Sequence, residues 1–140
     1  MTRLFFYGTL MQGDSRGHVL AGIGRWVDEA SISGDLYDVG YFPALVPTDS
    51  ERRVRGEVWE ILSGHEERAL EVLDGIEGYD ADRPATSLYL RRPVNARLAS
   101  GEDVLVETYE WNRGTDGMPR IVGGSWKDYR SGERLPIGTA

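Results

Sequence analysis

Hydrophobic and polar residues alternate along much of this chain with the two-residue period of β-strands. Residues 54–62 show the pattern most clearly, and Gly56 inside this strand indicates a bulge or the close approach of another group. Residues 87–98 and 102–111 alternate on either side of a short turn, which predicts two paired strands. The remaining strands are predicted at residues 4–6, 25–33 and 36–39.

Helical periodicity is clear in one stretch, residues 64–74, where leucines recur one turn apart. Ser63 precedes Glu66 by three residues, the spacing of a capping box, and Ser63 is therefore the predicted N-cap. Gly75 and Gly78 follow closely and are expected to end the helix and begin a turn.

The chain contains no internal repeat, low-complexity run or linker. About six strands and one clear helix predict a single α+β domain with a curled, mainly antiparallel sheet over residues 1–130. Pro43 argues against a central strand at its position, whereas Phe42 and Leu45 beside it are expected in the core. A short closing helix is predicted at residues 126–129, followed by a loosely held tail at residues 131–140.

The net charge of the sequence argues against some classes of binding partner. Lys and Arg number 16 against 23 Asp and Glu, so the net charge is -7. This balance argues against a general affinity for nucleic acid or an anionic membrane, although backbone N–H groups can still hold a small anion. No basic segment followed by a long apolar stretch opens the sequence, so the expected location is cytoplasmic.

Several kinds of catalytic chemistry are absent from the sequence. The chain has no cysteine, which excludes disulfides, thiol catalysis and cysteine-ligated zinc. His18 and His65 are the two histidines and have no metal-ligand spacing, so no metal is expected. Neither a nucleophile elbow, a phosphate-binding loop nor a dinucleotide fingerprint is found, so no cofactor is expected. The chemistry that remains is that of carboxylate, phenol and backbone N–H groups.

Two segments carry such groups. The first strand ends in Tyr7-Gly8-Thr9-Leu10, which offers a phenol, a hydroxyl and backbone N–H groups of the kind that bind a carboxylate or an oxyanion. An ordinary turn at the end of a strand is the alternative. Glu77 lies between Ile76 and a glycine after the helix, where partial burial of a carboxylate raises its pKa and favours a role as base. A solvated loop glutamate is the alternative there.

The order of several motifs resembles the gamma-glutamylcyclotransferase-like family. The motifs are Tyr7-Gly8-Thr9-Leu10, Gly56-Glu57-Val58, Leu73-Asp74-Gly75-Ile76-Glu77-Gly78-Tyr79, and Tyr89 followed by Arg91. The resemblance covers residues 3–129, and the sequence is more similar to the AIG2-like and gamma-glutamylamine cyclotransferase branch than to the glutathione-degrading branches. The resemblance implies a small mixed, mainly antiparallel β-barrel with flanking helices.

The resemblance also implies a reaction and the residues that perform it. In the family, the α-amine of a γ-glutamyl group attacks its own γ-carbonyl, so that 5-oxoproline forms and a free amine or amino acid leaves. Glu77 matches the catalytic glutamate and is expected to act as general base and then to return the proton. Gly8, Thr9 and Leu10 match the turn that cradles the substrate, Tyr7 is expected to shape that turn, and Tyr89 to donate a hydrogen bond to the substrate.

Other interpretations stay open at this point. Glu57 is the rival carboxylate, although a strand residue paired with Arg55 or Arg53 is the simpler interpretation. Trp126 and Tyr129 could cover the cavity mouth or pack in the core or at the rim. A non-catalytic small-molecule binding module and an amide hydrolase are the alternative functions, and the sequence leaves the amine half of the substrate and the oligomeric state open.

Overall fold

The computed structural model describes residues 2–8, 11, 17–48 and 50–133 of the chain. Within these residues the six predicted strands appear in the predicted order, and a further strand at Pro43–Val46 was not predicted. The elements are β1 (Arg3–Phe6), a 3₁₀ helix (Gly17–Leu20), β2 (Gly24–Ser33), β3 (Asp35–Asp38), β4 (Pro43–Val46), β5 (Arg53–Ile61), α1 (Glu66–Glu77), a 3₁₀ helix (Pro84–Thr86), β6 (Tyr89–Leu98), β7 (Asp103–Trp111) and α2 (Trp126–Glu133).

Five strands close into a barrel in the order β1-β5-β2-β6-β7. Neighbouring strands are antiparallel except for β1 and β7, which run parallel where Leu4 lies opposite Glu107. The predicted mixed, mainly antiparallel β-barrel with flanking helices is therefore confirmed. Strand β1 closes the barrel, and its residues Leu4, Phe5 and Phe6 are buried because strands lie on both sides of it.

Gly56 allows β1 and β5 to approach closely. A β-carbon at this position would collide with the carbonyl oxygen of Phe6 and would lie 2.8 Å from the ring of Phe5. The close approach predicted for Gly56 is confirmed, and it fixes the path of the chain as β1 ends at Phe6 and continues into Tyr7 and Gly8.

Strands β3 and β4 form a separate two-stranded antiparallel sheet. Pro43 is the first residue of β4 and lies opposite Asp38. At this position the N–H group that proline lacks is not needed for a hydrogen bond in the middle of a sheet. Leu45 is buried and Phe42 packs partly buried against the core, as expected. Arg52 donates to both carboxylate oxygens of Asp35, at 2.5 and 2.9 Å, and so fastens the start of β3 to the segment that leads into β5.

Helix α1 begins later than predicted. Its N-cap is His65, whose side chain makes no capping hydrogen bond. The predicted N-cap Ser63 is therefore wrong, because Gly64, with φ of 87°, turns the chain before the first helical residue. Glu66 does not close a capping box but accepts a hydrogen bond from Thr2 Oγ1 at 3.3 Å.

Helix α1 also ends later than predicted, at Glu77 rather than at residue 74. Gly75 stays in the helix. Gly78 ends it in the left-handed conformation, with φ of 65°, and its N–H points to the carbonyl oxygens of Asp74 and Gly75. Glu77 is therefore the last residue of a helix and not part of a loop.

Helix α2 continues one turn beyond the predicted closing helix, to Glu133, and thus past the predicted domain end at residue 130. The rest of the predicted tail, residues 134–140, lies outside the described residues. Trp126 begins this helix and is 1% exposed within the hydrophobic core. Among the described residues, no helix has the length and apolar character needed to cross a membrane.

Candidate active site

A cavity of about 100 Å³ opens where the end of β1, the start of β4 and the end of α1 meet. Most of its wall is aromatic or aliphatic, and Glu77 is the charged residue among the described lining residues. The lining consists of Phe5, Phe6, Tyr7, Gly8, Phe42, Pro43, Ile76, Glu77, Leu88, Tyr89 and Tyr109. Four of the predicted site residues, Tyr7, Gly8, Glu77 and Tyr89, therefore share one cavity, whereas Thr9 and Leu10 lie outside the described residues.

Glu77 reaches the cavity because of the way helix α1 ends. The left-handed cap at Gly78 turns the chain directly after Glu77, and the Gly78 carbonyl then accepts from the N–H of Leu88 at 2.9 Å. Leu88 and Ile76 line the cavity on either side of the glutamate. The carboxylate is half-buried in mostly apolar surroundings, the setting in which a carboxylate serves as a base.

Tyr7 fastens the end of β1 to β7. Its hydroxyl donates to the carbonyl oxygen of Tyr109 at 2.5 Å. Burial raises the pKa of Tyr7 well above its ordinary value, and the neighbouring Tyr89 and Glu77 raise it further. Tyr7 thus stays a neutral phenol that ties the end of β1 to β7, and its role in shaping the substrate-binding turn stays a prediction.

Gly8 lies against the ring of Pro43. A β-carbon on Gly8 would lie 2.9 Å from Cγ of Pro43, so the space beside the main chain is already taken. The carbonyl oxygen of Gly8 accepts from the N–H of Met11 at 3.1 Å. The glycine therefore serves close packing of β4 against the turn after β1.

Tyr89 has a protein partner in this structure. Its hydroxyl donates to the carbonyl oxygen of Pro43 at 2.6 Å. Its ring lies edge-on to Trp111, with centroids 5.2 Å apart, and 6.3 Å from the ring of Phe42. The hydrogen bond from Tyr89 to a substrate stays a prediction. It requires the Tyr89 hydroxyl to give up its hydrogen bond to the carbonyl oxygen of Pro43.

Behind the cavity wall lies a charged network that the sequence patterns did not predict. Tyr109 Oη donates to Oδ1 of Asp74 at 2.7 Å, and Arg91 Nε donates to the same oxygen at 2.9 Å. Arg91 Nη1 also donates to Glu107 at 2.8 Å. The available signals were local: Asp74 belongs to the motif that contains Glu77, and Arg91 follows Tyr89, but the chain order does not show that these residues meet.

The rival carboxylate, Glu57, lies outside this cavity. It lines a second cavity with Lys127, whose Nζ is 3.6 Å from Oε2 of Glu57, and it accepts from Trp59 Nε1 at 3.2 Å. The expected pairing of Glu57 with Arg55 or Arg53 stays a prediction. Arg55 Nη1 lies 3.7 Å from Oδ2 of Asp128, and Arg53 donates to the hydroxyls of Ser31 and Ser33.

Helix α2 does not cover the cavity that holds Glu77. Trp126 is buried in the core, and the Tyr129 hydroxyl donates to Oδ2 of Asp38 at 2.7 Å. The two rings stack on each other with centroids 6.0 Å apart. Packing is therefore the role that the structure gives Trp126 and Tyr129.

The described residues provide no cluster of metal ligands. They contain no group of three histidine, aspartate or glutamate side chains placed to hold a metal ion. His65 occupies the N-cap position of helix α1, and the side chain of His18 lies outside the described part of the chain.

Comparison with known proteins identifies the class. Residues 4–128 match the model of the family described as gamma-glutamyl cyclotransferase, AIG2-like. The chain belongs to this family, as the motif resemblance predicted.

Individual relatives agree with this assignment. The gamma-L-glutamyl-butirosin B gamma-glutamyl cyclotransferase of Niallia circulans is 30% identical over 131 residues, which cover 93% of this chain and 78% of the relative. Family and relative together support gamma-glutamyl cyclotransferase activity in general.

Two solved structures share the fold. An AIG2-like protein from Mus musculus superposes with a TM-score of 0.73 at 21% identity, over 99% of this chain and 92% of that one. Protein YtfP from Escherichia coli gives a TM-score of 0.61 at 26% identity, over 92% of this chain and 99% of that one.

Proposed function

We propose that this protein is a γ-glutamyl cyclotransferase that converts a γ-glutamyl amine or γ-glutamyl amino acid into 5-oxoproline and the free amine. The observation that carries the proposal is the shared cavity: Glu77, at the end of α1, faces the same small space as Tyr7 and Gly8, at the end of β1. A base and an anion-binding turn on opposite walls are what this ring closure needs.

The proposed reaction is an internal acyl transfer. The α-amine nitrogen of the substrate bonds to its own γ-carbonyl carbon, a five-membered lactam closes, and the bond from that carbon to the leaving nitrogen breaks. Glu77 takes a proton from the attacking ammonium and returns one to the departing amine. No water molecule is consumed, so a small apolar cavity that limits the access of water favours cyclisation over hydrolysis.

The protein's contribution is mainly geometry. Folding the γ-glutamyl chain so that its amine lies against its carbonyl replaces a search through many open conformations, and such positioning accounts for a large share of the rate of ring closures. The aromatic wall formed by Phe42, Tyr89 and Tyr109 restricts the substrate to folded conformations. The backbone at Gly8, and by proposal at Thr9 and Leu10, supports the developing negative charge on the carbonyl oxygen.

A product assay tests the proposal. Purified protein is incubated with a panel of γ-glutamyl amines and γ-glutamyl amino acids, and 5-oxoproline is measured by mass spectrometry. Glu77→Gln keeps the shape of the side chain but removes the base, so we expect kcat to fall by about 10²–10⁴-fold. Glu71→Gln, an exposed position on the same helix, is the matched control and should keep wild-type activity.

The rival carboxylate is tested in the same panel. Glu57→Gln should retain most of the activity, because Glu57 lies outside the cavity. Full activity of Glu77→Gln would overturn the role of Glu77. Release of glutamate instead of 5-oxoproline would show an amide hydrolase, and no product from the wild type across the panel would favour a binding module.

A further inference from the structure

Asp74 and Glu77 lie three residues apart on helix α1 and therefore on neighbouring positions of one helix face. The Asp74 carboxylate accepts hydrogen bonds from two neighbouring side chains. Its Oδ1 accepts from Tyr109 Oη at 2.7 Å and from Arg91 Nε at 2.9 Å, and its Oδ2 accepts from Arg91 Nη2 at 3.3 Å. The two side chains of the Asp74–Arg91 pair are each 20% exposed, so the pair is shielded from most of the solvent.

Arg91 contacts the chain on both sides of Glu77. Before the glutamate it holds Asp74 by the two-pronged contact, and after the glutamate its guanidinium lies over the ring of Tyr79, 5.7 Å from the centroid. The N–H of Tyr79 in turn donates to the carbonyl oxygen of Asp74 at 2.9 Å. One arginine from β6 thus encloses the turn that presents Glu77.

Tyr109 connects this charged group to the opposite wall of the cavity. Its ring lines the cavity, its hydroxyl donates to Asp74, and its carbonyl oxygen accepts from the hydroxyl of Tyr7. Burial raises the pKa of Tyr109 far above its ordinary value, with Asp74 adding to the effect, so the phenol remains a donor. Both the base and the turn after β1 are therefore tied to one residue of β7.

We propose that Arg91, together with Asp74 and Tyr109, is a positioning clamp that sets the orientation and the proton affinity of Glu77. The proposal rests on the proposed function, in which Glu77 is the general base. Arg91 and Asp74 do not line the cavity, so they act through Glu77 and not on the substrate.

The clamp has an electrostatic as well as a geometric side. Asp74 is a second negative charge one turn from Glu77, near the negative end of the helix dipole, and it favours protonation of Glu77. Arg91 offsets that charge. The titratable and charged groups near Glu77 on the described elements packed around it include Tyr7 after β1, Asp74 on α1, Tyr79 after α1, Tyr89 and Arg91 on β6, and Glu107, Tyr109 and Glu110 on β7.

Removing the charges of Arg91 and Asp74 singly and together distinguishes an electrostatic effect on Glu77 from a merely structural role of the clamp. Arg91→Met leaves Asp74 uncompensated and should raise the titration midpoint of the Glu77 carboxyl by about half a pH unit. Asp74→Asn removes the negative charge and should lower the midpoint by about the same amount. The double variant removes both charges and should return the midpoint to near the wild-type value.

Two measurements compare these variants with the wild type. The first is an NMR titration of the labelled Glu77 carboxyl in the whole, substrate-free protein. The second is the pH dependence of 5-oxoproline release, in which Arg91→Met should lower kcat about tenfold while KM changes less than about twofold, because orientation and not binding is lost. Arg91→Lys should keep the midpoint but lose kcat, since an ammonium cannot form the two-pronged contact.

Arg97→Met is the matched control, because Arg97 lies on the same strand and pairs with Asp103 in an exposed position. It should leave both midpoint and kcat unchanged. Unaltered midpoints in Arg91→Met and Asp74→Asn, or shifts of the same sign, would overturn the clamp. Since the NMR titration needs no turnover, it decides the clamp even if the wild type releases no 5-oxoproline, and Asp74→Asn with Arg91→Lys carries the test if Arg91→Met fails to fold.

Discussion

Packing around Gly8 links the turn after β1 to a hydroxyl in the cavity wall. Gly8 lies against the ring of Pro43, and the carbonyl oxygen of Pro43 accepts from the hydroxyl of Tyr89. The proline ring is part of the main chain and cannot rotate away as a flexible side chain would. The position of Tyr89 therefore depends on the absence of a side chain at residue 8.

Gly8→Ala tests this dependence. The new methyl group would lie 2.9 Å from Pro43 Cγ, so β4 must move, and we expect a loss of about 1–3 kcal/mol in the free energy of unfolding. KM for a γ-glutamyl substrate should rise, because the turn and the wall separate. Urea unfolding and steady-state kinetics measure the two effects.

Gly114→Ala is the control for that substitution, since nothing lies within 4 Å of a β-carbon there. Its unfolding free energy and KM should match those of the wild type. Equal values for Gly8→Ala and Gly114→Ala would contradict the packing account.

Single residues of the site differ in how far sequence could predict them. Tyr7, Gly8, Glu77 and Tyr89 belong to short motifs, and all four line the cavity. Strand alternation assigned Tyr109 to a strand. It cannot show that the end of α1 packs over that part of β7. Contacts of this kind join distant parts of the chain, and local spacing holds no information about them.

Among the secondary-structure elements, the end of α1 matters most for the site. Gly75 lies inside the helix with nothing within 4 Å of a β-carbon, whereas Gly78 has φ of 65° and its β-carbon would lie 3.2 Å from Leu88 Cβ. Two glycines three residues apart thus have opposite requirements, and Glu77 lies between them.

Substitution of these glycines by alanine should act in opposite directions. Gly75→Ala should stabilise the protein by about 0.5–1 kcal/mol, because alanine loses less backbone entropy in a helix. Gly78→Ala should destabilise it by about 1–2 kcal/mol, the cost of a left-handed alanine, and should lower kcat because the helix end moves. Chemical denaturation and the product assay give both values, and a stabilising Gly78→Ala would refute this account of the helix end.

The boundaries of α1 show where sequence patterns reach their limit. Ser63 and Glu66 have capping-box spacing, but the left-handed turn at Gly64 precedes the helix and removes Ser63 from it. A glycine after a helical pattern can end the helix or continue it, and the choice at Gly75 and Gly78 depends on the packing of Leu88. The strands were easier to predict, because alternation is repeated over many residues.

On the scale of the whole molecule, closure of the barrel places phenols in the interior. Tyr7 follows β1, Tyr109 lies on β7, and both are almost completely buried. Burial raises the pKa of each phenol above its ordinary value. The folded protein therefore holds two protons that the unfolded chain releases near pH 10.

Stability should consequently fall at alkaline pH. Below about pH 10 the phenols are protonated in both states and contribute no pH dependence, but above it the unfolded chain ionises while the folded one does not. Each buried phenol then removes about 1.4 kcal/mol of unfolding free energy per pH unit. Urea unfolding between about pH 9 and pH 11 measures the slope.

Two variants test whether buried phenols cause this pH dependence of the unfolding free energy. Tyr7→Phe should reduce the slope, because it removes one of the buried phenols. Tyr41→Phe, at a position 87% exposed, should leave it unchanged. A stability that is independent of pH over this range would contradict the account of the buried phenols.

The architecture of the whole molecule was predicted in two stages. Strand alternation predicted an α+β domain with a mainly antiparallel sheet, whereas closure into a barrel followed from the motif resemblance and is confirmed. The parallel contact of Leu4 with Glu107 closes the barrel between strands from the two ends of the domain. No periodicity within either strand encodes that pairing.

The proposed function requires that the protein closes a lactam inside its cavity, and isotope labelling can follow this step atom by atom. The wild-type protein is given the best substrate of the panel, with heavy nitrogen in its α-amine, in water enriched in heavy oxygen. We expect 5-oxoproline that keeps the heavy nitrogen in its ring and contains no heavy oxygen. Glutamate carrying heavy oxygen, or an absence of product from every γ-glutamyl compound tested, would contradict it.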